Sequence, residues 1–174
     1  MEHTMTPRNV TRRTAHQLVV ALILTALSVG GCGFQPRGQG YNRLPSQLYI
    51  TGLSAFDPLY VELTRQLDIA GVTRAENVDG AAAVLRIIKR DSEARVLSVD
   101  SRNKAVEFEL EESARFSLTR AQGETADEQT VRVLRIQFSP SNAVLGSERE
   151  SVLTRRDMLR ELAQKVLSRA GAQY

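Results

Sequence analysis

Cysteine and histidine are nearly absent from this chain of 174 residues, which contains one cysteine and two histidines. Both histidines, His3 and His16, precede Cys32 and belong to a segment with the features of a removable leader. The chain that follows therefore has no imidazole, and it has no free thiol once Cys32 is modified. This composition excludes Ser-His-Asp and Cys-His catalytic sites and the usual zinc ligand sets. The absence of a P-loop and of a G-x-G-x-x-G motif excludes the common nucleotide-binding classes.

The segment before Cys32 has the order of an export signal. Three arginines precede the apolar run LVVALILTALSV, which has twelve residues. A membrane-spanning helix needs roughly 20 apolar residues, whereas the apolar region of a signal peptide has about 7 to 15. The run therefore predicts a signal peptide over residues 1–31. A buried core helix is the alternative, which the terminal position and the arginine flank disfavour.

The signal ends in the letters VGGC, which resemble the lipobox of bacterial lipoproteins. The resemblance implies cleavage before Cys32 and lipidation of its sulfur, so Cys32 is the predicted anchor. A structural cysteine or a free redox thiol is the alternative. Gly33 is not the aspartate that retains lipoproteins in the inner membrane, so we expect the outer membrane, on its periplasmic side.

A short tether and one domain are predicted after the signal. The stretch GFQPRGQGYNRLP is rich in glycine, proline and glutamine, which predicts a lipidated tether over residues 32–46. The remaining residues 47–174 have the length of one domain. Removal of the leader lowers the formal net charge from +3 to +1, so we expect no nucleic-acid partner.

Alternation and capping signals predict an α+β domain with the element order β-α-β-β-β-α. Asp57 suits the N-cap of the first helix, Pro58 its first position and Gly71 its C-terminal stop. In VEFELEESARFSLT the apolar residues face one way and most of the polar residues face the other. We expect a two-layer sandwich, a mainly antiparallel four-stranded sheet with two helices packed on one face.

Finer details of the strands and of the last helix are also predicted. Wavering apolar parity indicates a bulge or bend near Lys89–Glu93, and the parity of QTVRVLRIQF shifts after Val133, which indicates a second bulge. Ser147 and Glu150 form a capping box, so the last helix is predicted to begin there. Its predicted apolar stripe consists of Val152, Leu159, Leu162, Ala163, Val166 and Ala170.

One carboxylate cluster, Glu107, Glu109, Glu111 and Glu112, stands out in the domain. Neighbours two apart on a strand lie roughly 7 Å from each other, a separation that could serve an acid/base pair. A solvated face is the favoured interpretation, because the run forms the polar half of an alternating strand. We therefore predict that the protein is not an enzyme and that it uses no cofactor and no metal.

Several segments together resemble the LptE family of lipopolysaccharide-assembly lipoproteins. CGFQPRG is similar to the family's CGFxLRG start, RVLSVDSRNKAVEFELE to its central hairpin, and FSPSNAVLGSERESVLTRRDMLRELAQKVLSRA to its last strand, loop and helix. The order and length of the elements fit from Cys32 to Ala170. Pro36 replaces the family's usual leucine, and Gly146 and Ser147 stand where members often carry a lysine.

The resemblance implies an anchored, non-catalytic role in the outer membrane. Members plug the large β-barrel protein LptD, help it to assemble, and form with it the translocon that delivers lipopolysaccharide to the outer leaflet. They also bind lipopolysaccharide. The alternative is an unrelated outer-membrane lipoprotein that serves as a subunit of another envelope assembly or transport machine.

Four basic residues are the predicted contacts for lipopolysaccharide: Arg95, Arg102, Lys104 and Arg149. The lipid A and core of lipopolysaccharide carry phosphates, for which arginine and lysine at loop tips are the usual partners. Arg102 and Lys104 stand in the DSRNK turn that the resemblance places at the tip of the sheet. Ordinary solvated charges are the alternative interpretation for each of them.

Overall fold

The computed structural model describes residues 43–139 and 144–174 of the protein. The element order is β1 (Gln47–Thr51), α1 (Pro58–Ala70), β2 (Thr73–Arg74), β3 (Ala83–Val99), β4 (Ala105–Arg120), β5 (Gln129–Phe138) and α2 (Val144–Gln173). The strands form one sheet in the order β2-β1-β3-β4-β5. The predicted α+β class and two helices are confirmed. The sheet has five strands rather than the predicted four. The additional strand is β2, which could not be predicted because it is only two residues long and shows no alternation in the sequence.

The first helix begins and ends where its capping residues predict. The side chain of Asp57 accepts a hydrogen bond from the backbone N–H of Leu59 at 2.8 Å, and Pro58 occupies the first position of α1. Gly71 ends the helix in the left-handed conformation, at φ 70°, which glycine adopts without steric cost. Leu59, Leu63 and Leu67 are fully buried.

The N-terminal strand is held close to the centre of the sheet. β1 runs parallel to β2 and to β3, whereas β3, β4 and β5 are antiparallel neighbours. Directly after β1, Gly52 has φ 91°, and a Cβ atom built on it would lie 2.0 Å from the carbonyl oxygen of Ile87. Glycine is therefore required at this position for two reasons, the backbone conformation and the close approach of β3.

The alternation of β4 defines two faces of the sheet. Its even-numbered residues point to the face that we call the inner face, which both helices cover, and its odd-numbered residues point to the outer face. Leu110, Ala114, Phe116 and Leu118 are buried on the inner face, as predicted. They pack in one core with the leucines of α1 and with Met158, Leu162, Ala163, Val166, Leu167 and Ala170 of α2.

The last helix differs from its prediction at the N-terminal end. It begins at Val144 rather than at Ser147. The capping-box residues therefore lie inside the first turns of the helix and do not mark its start. The predicted stripe from Leu159 to Ala170 is buried, but Val152 is 68% exposed. Here polar groups attach α2 to the sheet, since the side-chain amide of Gln137 donates to the Ser151 hydroxyl at 2.7 Å.

The predicted irregularities of the strands are partly wrong. The register between β3 and β4 shifts between Ile87 and Lys89, at the start of the predicted segment, and again between Val96 and Val99. In contrast, β5 pairs with β4 in continuous register from Gln129 to Phe138. The parity shift in its sequence therefore reflects apolar residues on the outer face and not a bulge.

Candidate functional site

The turn between β3 and β4 is organised by Asp100. Its Oδ1 atom accepts hydrogen bonds from the backbone N–H groups of Arg102 at 2.8 Å and Lys104 at 3.0 Å. The backbone of Asp100 also donates to the Lys104 carbonyl at 2.8 Å, and Asn103 adopts a left-handed φ of 60°. The predicted residues Arg102 and Lys104 thus lie together in one ordered turn, with exposed side chains. The Arg102 guanidinium lies 3.3 Å from Asp100 Oδ2.

The other two predicted basic residues do not join the turn. Arg95 lies on the outer face and donates to Glu109 Oε1, on the opposite strand, at 2.8 Å. About four residues of strand, roughly 13 Å, separate it from the end of β3. Arg149 is exposed in the second turn of α2, a helix that covers the inner face. The structure therefore brings Arg102 and Lys104 together and leaves Arg95 and Arg149 on separate layers.

The outer-face carboxylates of β4 are paired with neighbours on the flanking strands. Glu107 accepts from Ser98 at 3.1 Å, and Glu109 accepts from Arg95. Glu111 lies 3.5 Å from Arg132 of β5. These three glutamates occupy the polar face that the sequence predicted. Among residues 43–139 and 144–174, no group of three or more Asp, Glu, His or Cys side chains could hold a metal ion.

Glu112, in contrast, was misassigned to the polar half and lies on the inner face, where it is 1% exposed. Its Oε1 atom accepts from Ser92 at 2.6 Å and from Arg155 of α2 at 2.9 Å. Its Oε2 atom accepts from Arg90 at 3.2 Å. Two guanidinium groups thus compensate one buried carboxylate, as burial of a charge requires.

This ion cluster extends to the other helix through Arg90. The second terminal nitrogen of Arg90 lies 3.5 Å from Oδ2 of Asp57, the residue that caps α1. Glu112, Arg90, Asp57 and Arg155 therefore connect β4 and β3 to the start of α1 and to α2. The Nε atom of Arg90 is buried without a hydrogen-bond partner among the described residues.

The sequence held a signal for this cluster. Glu112 occupies an even position in β4, in register with Leu110 and Ala114, so strict alternation places it on the apolar face. The doublet of Glu111 and Glu112 conceals this, because a run of acids is read as one polar surface. Arg155 could not have been named as its partner, since the residues are far apart in sequence and their approach depends on how α2 crosses the sheet.

Apolar side chains lie exposed at two places on the sheet. Leu134, Ile136 and Phe138 of β5 are 49%, 66% and 63% exposed, and their pairing with Glu111, Glu109 and Glu107 places them on the outer face. Val96, Leu97 and Val99 are exposed near the end of β3. We call the first set the β5 stripe. It lies beside the glutamates and adds an apolar border to a polar surface.

The carboxyl group of Glu161 has a shifted pKa. Hydrogen bonds from Lys165, and then from Arg135, hold the pKa of Glu161 below its ordinary value of 4.5, against the opposing effect of burial. Arg135 belongs to β5 and the other two residues to α2. The group therefore connects the edge strand with the helix that covers the inner face.

The predicted lipidation site, Cys32, lies outside the described residues. Within the part of the chain that the structure describes, neither helix combines the length and apolarity needed to cross a membrane.

Comparison with known proteins gives the fold and the family. Rare lipoprotein B from Shewanella oneidensis is similar with a TM-score of 0.64 at 20% identity, covering 72% of this chain and 94% of that one. Lipoprotein B from Nitrosomonas europaea has a TM-score of 0.65 at 25% identity, with coverages of 80% and 91%. A minor lipoprotein from Acinetobacter baumannii has a TM-score of 0.61 at 21% identity, with coverages of 74% and 92%. Curated proteins gave no significant match in sequence.

The family model described as "LptE: Lipopolysaccharide-assembly" matches residues 46–170. This match spans β1 to β5, α1 and all but the last residues of α2, and it includes the hairpin turn and the ion cluster around Glu112. It confirms the resemblance drawn from the sequence motifs. The chain belongs to the LptE family of lipopolysaccharide-assembly proteins.

Proposed function

We propose that the protein is a lipid-anchored subunit of the outer-membrane lipopolysaccharide translocon, in which it plugs the β-barrel protein LptD without performing catalysis. The observation that carries the proposal is the family match over residues 46–170. In the same proposal the signal peptide of residues 1–31 is removed, Cys32 carries the lipid, and residues 32–46 tether the domain on the periplasmic side. Lipid addition fits this role, since several acyl chains are needed for a stable anchor.

The outer face of the sheet has the chemistry that a plug requires. The lumen of a large outer-membrane barrel is polar, and Glu107, Glu109, Arg95 and Arg132 give this face charged groups of both signs. Arg95 pairs with Glu109, Arg132 pairs with Glu111, and Glu107 accepts a hydrogen bond from the Ser98 hydroxyl. A partner that covers these groups therefore leaves each of them with a polar contact inside the domain, which lowers the cost of burying their charges.

Purification tests the partner directly. The full-length tagged protein, extracted from outer membranes in detergent, is expected to copurify with a stoichiometric large β-barrel, and the domain is expected to resist protease while the barrel is present. The Cys32→Ala variant should lose acylation and outer-membrane fractionation. A chain that is recovered alone and is fully protease-sensitive in its native membrane would exclude the plug role.

The hairpin turn is the part of the domain that we propose contacts lipopolysaccharide. Arg102 and Lys104 project from the Asp100-centred turn, and Arg95 and Arg149 are secondary candidates because they lie elsewhere. The ion pair between Arg102 and the Asp100 carboxylate is exposed, so a phosphate group can compete with that carboxylate for Arg102. Fixed backbone geometry presents both cations on the same turn, which favours a bound phosphate.

The binding test uses purified domain and lipopolysaccharide. The double variant Arg102→Asp with Lys104→Asp is expected to bind about tenfold more weakly or worse, while its circular dichroism and barrel association are kept. Arg156→Asp with Arg169→Asp removes two exposed cations from α2 and serves as the matched control. Equal binding by both double variants would exclude the turn as a contact and leave the plug role unaffected.

A further inference from the structure

The two edges of the sheet differ in how their backbone groups are used. At the β5 edge, the backbone N–H of Ser139 bonds to Val106 of β4, so the alternate, even-numbered residues of β5 direct their backbone groups away from the sheet. Two of these carbonyls are already occupied. Lys165 donates to the Arg132 carbonyl at 3.1 Å, and the Arg135 side chain donates to the Leu134 carbonyl at 2.9 Å. Strand addition across these two residues would therefore have to displace two existing hydrogen bonds.

The opposite edge is covered only over its first two residues. β2 pairs with Gln47 and Leu48 of β1 and no further, and the last contact is the bond from the Ala75 N–H to the Leu48 carbonyl at 3.0 Å. Because Leu48 directs its backbone groups toward β2, Ile50 directs its own to the same side. Among the described residues, no backbone hydrogen bond continues the ladder past Leu48, so the N–H and C=O of Ile50 lie beyond the end of β2.

A cavity of about 500 Å³ lies at this edge. Ile50, Leu53, Ala55 and Tyr60 contribute to its lining, and Arg74 and Glu76 add one cation and one anion. We call this site the β1 notch. Its size is within the range of ligand pockets. It combines an apolar lining, a tyrosine, which is a frequent anchor residue at interfaces, and the backbone N–H and C=O of Ile50, which have no partner among the described residues.

We propose that the β1 notch binds a short extended segment of the barrel partner by strand addition beside Ile50. This inference rests on the proposed function and specifies where the partner engages the domain. The backbone groups of Ile50 determine the chemistry, because an extended peptide satisfies an N–H and a C=O at strand spacing, which an acyl chain cannot do. The segment carries a small or apolar side chain toward Tyr60 and Leu53 and polar groups toward Arg74 and Glu76.

Other occupants fit the notch less well. A second copy of this chain would have to offer an edge of its own, but its β5 edge is occupied by Lys165 and Arg135. Its β1 edge is already covered by β2 at Gln47 and Leu48, so it offers only the residues that follow them.

Photocrosslinking tests the notch in intact cells. The full-length protein carries p-benzoylphenylalanine in place of Tyr60 and is expected to crosslink to the barrel. Ala55→Trp fills the notch from an exposed position and should abolish this crosslink and lower copurified barrel about tenfold, the loss that one anchor contact represents. Ala55→Ser is the matched control and should change neither. Unchanged thermal unfolding of purified Ala55→Trp would show that the fold is kept.

Two outcomes would overturn the proposal. One is a crosslink from position 60 that reaches only residues before Arg43 or only a second copy of the chain. The other is full recovery of the barrel with the Ala55→Trp variant. If these occur while the wild-type protein still copurifies with the barrel, the notch is excluded and the proposed function stands. If the wild-type protein recovers no barrel, the proposed function fails first, and the assignment of the notch fails with it.

Discussion

The two faces of the sheet use the same residue type for different ends. On the outer face, Glu109 is paired with Arg95 at a position where the arginine side chain is 73% exposed. On the inner face, Glu112 is 1% exposed and is held by two arginines and a serine. The difference shows that the inner face gives the domain its stability, since a charge there cannot be left unpaired. The charged side chains of the outer face are exposed, so they can change partners and contact another molecule.

Removal of one glutamate from each face should give the largest contrast. Glu112→Ala leaves the partly exposed guanidinium groups of Arg90 and Arg155 without the carboxylate between them and should lower the free energy of unfolding by about 3 kcal/mol. Glu109→Ala breaks an exposed pair and should cost less than about 1 kcal/mol. Urea unfolding of both variants measures this. Similar values would mean that the ion cluster does not hold the helices to the sheet.

A pair of glycines tests the same contrast between packed and open positions. Gly52→Ala places a Cβ atom 2.0 Å from the Ile87 carbonyl oxygen at a positive φ and should cost about 3 kcal/mol, from backbone strain together with overpacking. Gly123 also has a positive φ, but nothing lies within 4 Å of its Cβ position. Gly123→Ala should therefore cost only about 1–2 kcal/mol. Chemical denaturation of the two variants separates the steric clash from the conformational cost.

Apolar truncations on β5 should separate its two faces. Val133 is buried on the inner face at 1% exposure, so Val133→Ala should lower stability by about 2 kcal/mol. Ile136→Ala removes part of the β5 stripe and should stay within about 0.5 kcal/mol of the wild type. The comparison uses thermal unfolding of the isolated domain. A large loss for Ile136→Ala would show that the stripe is covered within the chain itself.

The smallest effect concerns pH. Because the folded pKa of Glu161 is lowered, its contribution to stability is full above the ordinary value of 4.5 and is lost as the pH falls through the folded pKa. Glu161→Gln should therefore reduce the loss of stability as the pH falls below 4.5, by less than about 1 kcal/mol because the pair is partly exposed. Parallel acid titrations monitored by circular dichroism measure it, and identical titrations would contradict it.

Elements with a local signature could be predicted from the sequence. The capping residues Asp57 and Gly71 determined both ends of α1, and strict alternation assigned the faces of β4. β2 could not be predicted, since two residues carry no period and the strand forms only because Thr73 meets β1. The start of α2 was placed three residues late, because a capping box marks a favourable start but does not prevent earlier residues from being helical.

The candidate site was predictable to the extent that it is local. Arg102 and Lys104 share a turn that a few adjacent residues form, and the structure has them together. Arg95 and Arg149 belong to different layers, and no sequence spacing reveals the layer of a helix residue relative to a strand. The notch beside Ile50 depends on where β2 stops, and the cluster at Glu112 depends on how α2 crosses the sheet. Both are tertiary consequences without a local pattern.

The occupied carbonyls at the β5 edge have a consequence for the protein before it meets any partner. A newly folded copy with two free sheet edges could polymerise, each molecule adding its strand to the next. Lys165 and Arg135 occupy the carbonyls of Arg132 and Leu134, so strand addition across these two residues would first have to displace both side chains. The β5 edge is thereby made less receptive to another copy of the chain, without the help of any partner.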